Sequence, residues 1–192
     1  ISIAEEETLL ILGDSISAGY GINKKDNWVY LMQQKFDEEG NSIKLINSSV
    51  SGDTTGGGLG RLAKNLKKFK PDFVLIELGG NDALRGYSIK LIKSNLEKMI
   101  ALIKQNNSKV LLMQIRIPPN YGQKYMLAFE KIYKDLALSE EVYLLPFMLE
   151  EIGINSELMQ PDGIHPNKKA QSLIAKDVKK NIDKFLLINQ SN

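Results

Sequence analysis

The chain holds one histidine, His165, and Asp162 precedes it by three positions with Gly163 between them. So short a loop lets the carboxylate hold the imidazole Nδ1–H and leave Nε2 free as a base. Taken alone, an Asp-x-x-His is as readily an Asx turn ahead of a helix starting near Pro166. A base requires a nucleophile. Ser15, in Gly13-Asp14-Ser15-Ile16-Ser17, stands where an apolar run breaks off, and Gly13 permits a sharp turn there. The pattern is not a Gly-x-Ser-x-Gly nucleophile elbow, and a serine after a strand is also a common helix cap. Acyl transfer further needs donors for a developing oxyanion. Gly52 offers a backbone N–H with no Cβ in the way, and Asn81 a side-chain amide. Each preorganised donor of this kind lowers the barrier by about 3 kcal/mol.

Other chemistries are narrowed by what is missing. With no cysteine there is no disulfide scaffold, thiolate zinc site or cysteine nucleophile, and one histidine rules out a three-histidine zinc site or an HExxH protease. A hard-cation site built from Asp14, Asp53 and Asp82 stays open as a rival, that of a metal-dependent phosphoesterase. The run Gly56-Gly57-Gly58-Leu59-Gly60 lacks the Lys-Ser/Thr that a phosphate loop requires. Basic residues number 25 against 23 acidic, a net charge of +2 that does not point to nucleic acid. No apolar run reaches the length of a membrane span. Ser2 and Ala4 fit the small-x-small pattern before a signal-peptidase cut, so residues 1–4 read either as a leader's tail or as an arbitrary boundary.

These groups must be positioned by regular elements. Five short apolar runs, Thr8–Leu12, Ile43–Asn47, Phe73–Leu78, Lys109–Gln114 and Val142–Leu145, read as strands buried on both faces. Between and after them the apolar spacing predicts helices over Asn27–Glu39, Leu59–Phe69, Ile89–Gln105, Gln123–Leu138 and Asn167–Leu187. The alternation predicts an α/β fold, a three-layer αβα sandwich whose five parallel strands take the flavodoxin-like order 2-1-3-4-5. Residues 8–188 form one domain in this reading, with 1–7 as an N-terminal extension and 189–192 as a tail. Ligands of such sheets bind at the carboxyl ends of the strands, and every group named above falls in a loop at that edge.

Gly13-Asp14-Ser15, Gly52, Gly80-Asn81-Asp82 and Asp162-x-x-His165 resemble, in order and spacing, the four blocks of the SGNH (GDSL) hydrolase family. Longer stretches are similar to its TesA-type acyl-hydrolases: Leu9–Ser15, Glu77–Asp82, Leu112–Arg116 and Asp162–Asn167. Ile16, where the family name has Leu, is the one departure in the first block. The resemblance implies an SGNH hydrolase fold and a thioesterase, lysophospholipase and esterase without cofactor or metal, exported to the periplasm, with a cytoplasmic enzyme still open. It implies Ser15 as nucleophile, Asp162 and His165 as the acid–base pair, and the Ser15 N–H, Gly52 N–H and Asn81 amide as oxyanion donors. A carbohydrate O-deacetylase on the same constellation and a non-catalytic binding domain are the rival readings. Nothing in the sequence demands more than a monomer acting on a small-molecule acyl ester or thioester.

Apolar residues around the predicted edge (Leu84, Ile117, Pro118, Pro119, Tyr121, Met148, Met159 and Ile164) suffice to line an acyl groove, or to pack on one another. Asp14, beside the candidate nucleophile, belongs with Leu84, Ile117, Pro118, Tyr121 and Ile164 as a candidate substrate contact. Gly79, Gly80 and Gly86 flank 81–85, which reads as a mobile loop. Against 22 lysines there are three arginines, Arg61, Arg85 and Arg116, each just past a strand. Their planar forks are expected to brace the site loops by bidentate contacts.

Overall fold

The computed structural model describes residues 6–190. Its strands are β1 (Thr8–Gly13), β2 (Lys44–Asn47), β3 (Phe73–Glu77), β4 (Lys109–Met113) and β5 (Tyr143–Leu145). All pair in parallel, in the order β2-β1-β3-β4-β5 that the sequence predicts. The helices are α1 (Ser15–Ala18), α2 (Trp28–Glu38), α3 (Thr55–Phe69), α4 (Gly80–Leu84), α5 (Ile89–Gln105), α6 (Gln123–Ser139) and α7 (Lys168–Gln190). The long helices cover both sides of the sheet: α2 packs with α7, and α3, α5 and α6 pack in a row. The possible leader remnant, residues 1–4, lies outside the described residues.

The three central strands are apolar because they are covered on both faces. Leu9 to Leu12 and Val74 to Ile76 are fully buried, each such side chain worth about 1.5–3 kcal/mol of burial. The outer strands depart from the expectation. β2 is exposed at both ends and half-buried between, and β5 is fully buried only at Leu145, because each has a neighbour on one side alone. The helix periodicity holds well in α5, where Ile92, Leu96, Met99, Ile100 and Ile103 are buried and Ser88 caps the first turn through the Leu91 N–H.

Helix α3 starts four residues earlier than its apolar spacing suggests. Thr54 Oγ1 accepts from the Gly57 N–H, so the glycine run forms the first turns instead of a loop. Gly58 has a packing cause: a Cβ there would stand 2.3 Å from Leu78 Cδ1. Absence of a side chain lets α3 approach the end of β3 and brings the loop after β2 close to the loop after β3. The segment 81–85, expected as a mobile loop, is mostly the short helix α4, and its Asp82 is fully buried.

Candidate active site

The turn out of β1 becomes the helix α1, with Ser15 as its first residue. Asp14 caps it, Oδ1 accepting from the Ile16 N–H at 3.0 Å, and Gly19 ends it in the left-handed region. Ser15 Oγ lies 2.9 Å from His165 Nε2, and His165 Nδ1 lies 2.6 Å from Asp162 Oδ2. The other oxygen of Asp162 accepts the N–H groups of Ile164 (2.9 Å) and His165 (3.0 Å). Both readings of Asp-x-x-His therefore hold at once: one oxygen makes the Asx turn and the other holds the ring. The His165 N–H, then its ring, bring the Asp162 pKa down to about 2, so this carboxyl is an acceptor at neutral pH. A neutral ring facing an ionised carboxylate carries its proton on Nδ1, which leaves Nε2 to accept from Ser15.

Three candidate oxyanion donors come from three loops. Ser15 N is at the start of α1, Gly52 sits in a turn at φ +77°, and Asn81 is in the first turn of α4. No acceptor among the described residues takes the Ser15 or Gly52 N–H. Asn81 Nδ2 is held between Asp53 O at 2.9 Å and Asp14 Oδ2 at 3.2 Å. The Val50 N–H donates to Gly13 O at 3.0 Å and draws the Gly52 turn alongside the nucleophile turn.

Residues 11–173 match the GDSL-like Lipase/Acylhydrolase family. The chain belongs to this family. It is 49% identical over 180 residues to an arylesterase of Vibrio mimicus, covering 94% of this chain and 90% of the relative. It is 46% identical over 172 residues to thioesterase 1/protease 1/lysophospholipase L1 of Escherichia coli K12, covering 90% and 81%. The solved structure of the psychrotrophic esterase EstA from Pseudoalteromonas sp., inhibited by monoethylphosphonate, superposes with a TM-score of 0.92 at 43% identity, covering 94% and 98%. Ser15 thus lies in the family's Gly-Asp-Ser segment, and the sheet order agrees with that of an SGNH hydrolase.

Behind the Gly-Asp-Ser segment of this GDSL-family chain lies a carboxylate that the sequence did not single out. Glu77, the last residue of β3, is buried. Its Oε2 accepts from Ser17 Oγ at 2.6 Å and from the Asp14 N–H at 3.3 Å. Register places it beside Gly13, whose absent Cβ would stand 2.6 Å from that oxygen. Gly13 is therefore needed for space; its φ is not among the positive ones, and the sharp turn expected of it is not its role. Burial, then the Asp14 charge, raises the Glu77 pKa well above the usual range. Burial likewise pushes Asp14 up to about 6, against the lowering pull of the Ile16 N–H and His165.

Asp14 is thus corrected as a substrate contact: it is 5% exposed, and its two oxygens are engaged by Ile16 and Asn81. Nor do Asp14, Asp53 and Asp82 converge on one point. Asp53 accepts from Arg61, and Asp82 accepts from the Thr55 N–H and Oγ1. Among the described residues no group of three His, Cys, Asp or Glu side chains could hold a metal ion. Ile117 and Met148 also pack into the core, whereas Leu84 is half-buried and Pro118, Pro119, Tyr121 and Ile164 are exposed. Met159 lines a hollow of about 490 Å³ together with Ile154, Gln160 and Gly163.

Two of the arginines brace the loops, though not as bidentate carboxylate partners. Arg61 spreads its fork over two segments: Nε donates to Asp53 Oδ2 at 2.8 Å and Nη1 to the Ser48 carbonyl, both in the loop after β2, and Nη2 to Gly13 O at 3.3 Å at the end of β1. Arg85 donates through Nη2 to Gly52 O at 3.1 Å. Arg116 instead pairs with Glu130 and Glu150, tying α6 to the segment after β5. Two further residues escaped the sequence reading. The Tyr20 ring stacks at 4.5 Å on His165, and Gln160 donates through Nε2 to Tyr20 O at 2.8 Å and to Pro166 O at 3.1 Å. No local motif marks them; only the fold makes them neighbours of the imidazole.

Proposed function

We propose that this protein is a serine hydrolase that cleaves carboxylic esters and acyl thioesters by acyl transfer through Ser15. The substrate carbonyl carbon meets Ser15 Oγ as His165 Nε2 takes the hydroxyl proton. Asp162 stabilises the resulting imidazolium and keeps its orientation. The charge that develops on the carbonyl oxygen is held by the Ser15 and Gly52 N–H groups and by the Asn81 amide, one of whose Nδ2 hydrogens turns to it from Asp14 Oδ2. When the intermediate collapses, the alcohol or thiol leaves with the proton from His165. Water, deprotonated by the same ring, then attacks the acyl-serine, and the acid is released as His165 returns the proton to Ser15 Oγ. Acidification stops both half-reactions, since a protonated imidazole accepts no proton.

The observation that carries this reading is the unbroken Ser15–His165–Asp162 hydrogen-bond chain, made from two segments 150 residues apart. The names of the relatives, arylesterase and thioesterase 1/protease 1/lysophospholipase L1, supply the substrate classes to assay. Exposed Ile164, next to His165 in the chain, offers apolar surface that an acyl chain could cover and the acetyl group of an acetylated sugar is too short to use. The test is mass spectrometry after exposure to a lipid-like fluorophosphonate. One adduct on Ser15 is expected, and none in Ser15→Ala; labelling elsewhere, or acetyl sugars turning over faster than long-chain thioesters, would overturn the reading. We place the enzyme in the periplasm as a monomer, which osmotic-shock fractionation and sedimentation velocity would check; among the described residues no helix is long and apolar enough to cross a membrane.

A further inference from the structure

Charge is distributed unevenly over the surface. Helix α3 and its left-handed cap Lys70 carry Arg61, Lys64, Lys67, Lys68 and Lys70, with no acidic side chain. Its neighbour α5 carries Lys90, Lys93, Lys98 and Lys104, and Glu97 as the one carboxylate. Nine basic groups against one acidic therefore share this helix pair in a chain whose net charge is only +2. Three of the nine are committed: Arg61 to the site loops, Lys93 to Glu97 and Lys104 to Glu140. Lys64, Lys67, Lys68, Lys70, Lys90 and Lys98 are exposed and form no ion pair among the described residues. Beside Lys90, at the end of the layer nearest the site, Tyr87 and Leu91 expose 37% and 47% of their surface.

We propose that the α3–α5 face docks on an anionic lipid surface, with Tyr87 and Leu91 entering its headgroup region next to the mouth of the site. Lysine is a hydrated point charge on a flexible stem. A cluster of such charges suits a fluid array of phosphates, whose positions are not fixed. Nucleic acid would favour guanidinium forks and stacking aromatics, yet Arg61 is turned inward and the half-buried Phe69 ring is covered by the Lys68 ammonium. The lysines run the length of the helix pair, with Lys67 and Lys70 beside the C-terminal end of α5 and Lys90 beside Tyr87 and Leu91 at its N-terminal end. A basic stripe that ends in large apolar side chains is a pairing that an interfacial contact uses. This docking is independent of which residue performs the chemistry, so its failure and that of the proposed function are separable.

The test is co-sedimentation of the full chain with vesicles of phosphatidylcholine, with or without half phosphatidylglycerol. Binding is expected only with phosphatidylglycerol at about 20 mM salt, and its loss at about 500 mM, where exposed charges are screened. The triple variant Lys64→Gln/Lys67→Gln/Lys68→Gln should weaken partitioning at least tenfold, because each charge near the surface is worth about fivefold. Lys176→Gln/Lys180→Gln/Lys184→Gln, on exposed positions of α7, should change it less than twofold. Both variants should keep the wild-type melting temperature and hydrolyse a short soluble ester at the wild-type rate. Equal loss in the two triples, equal binding to both vesicles, or tighter binding of a DNA duplex through the same lysines would overturn the proposal.

Discussion

The turn that carries Ser15 and the loop that carries Asp162 and His165 meet at one hydrogen bond but are built in opposite ways. The serine turn is held from behind by partners remote in sequence. Glu77 reaches it across 60 residues, Arg61 across 48, and Asn81 across 67. The histidine loop is held mostly by itself, since Asp162 bonds only residues two and three positions ahead. One region depends on the interior; the other is a surface device that closes over it. Changes at the surface loop should therefore cost rate with little stability, whereas changes behind the serine should cost stability first.

Asp162→Asn gives the largest expected effect. An amide in place of the carboxylate can donate to Nδ1 and favour the wrong tautomer, so kcat should fall about a thousandfold or more while the melting temperature hardly moves. Steady-state kinetics beside calorimetry would check both halves, and a large loss of stability would erase the contrast. Next comes a glycine pair. Gly13→Ala forces a Cβ onto Glu77 Oε2 in a packed interior and should cost about 2–4 kcal/mol of unfolding free energy. Gly163→Ala meets nothing within 4 Å and carries only the strain of φ +67°, about 1 kcal/mol. Chemical denaturation measures the difference.

Arg61→Lys should be third. Lysine cannot span Asp53, Ser48 and Gly13 together, so a loss of about 1–2 kcal/mol is expected. Arg85→Lys gives up one exposed contact to Gly52 O and should change stability by less than about 0.5 kcal/mol. The last effect concerns pH. Glu77 has a folded pKa raised above its unfolded one, so the native state binds the extra proton and stability falls as pH rises through that interval. Glu77→Gln removes this slope. Its melting temperature relative to wild type should climb by a few degrees between about pH 4 and pH 8. A constant difference would show that Glu77 does not titrate there.

The same contrast explains what could be read from the sequence. Asp162 and His165 were legible as a pair because their partnership is local, and the sheet order followed from uniform apolar runs. Ser15 became readable only with Gly52, Asn81 and the histidine block in order. The residues behind it did not: Glu77 looks like the polar end of a strand, and Gly13 like a turn former. Their meaning depends on β3 lying beside β1, a tertiary fact. Gly56–Gly58 misled for a related reason, since helix propensity speaks against them and the close approach to Leu78 overrides it. The edge strands read as fully buried because their apolar runs look like those of the central strands, although the predicted order already placed them at the ends of the sheet.

The bond between Ser15 and His165 spans nearly the whole polypeptide. During synthesis the hydroxyl emerges early, and its imidazole only after every strand has left the ribosome. An unfinished or truncated chain therefore carries an unactivated serine, inert toward the acyl groups around it. Covalent labelling of that hydroxyl consequently doubles as a clock for the last step of assembly, the arrival of the final loop.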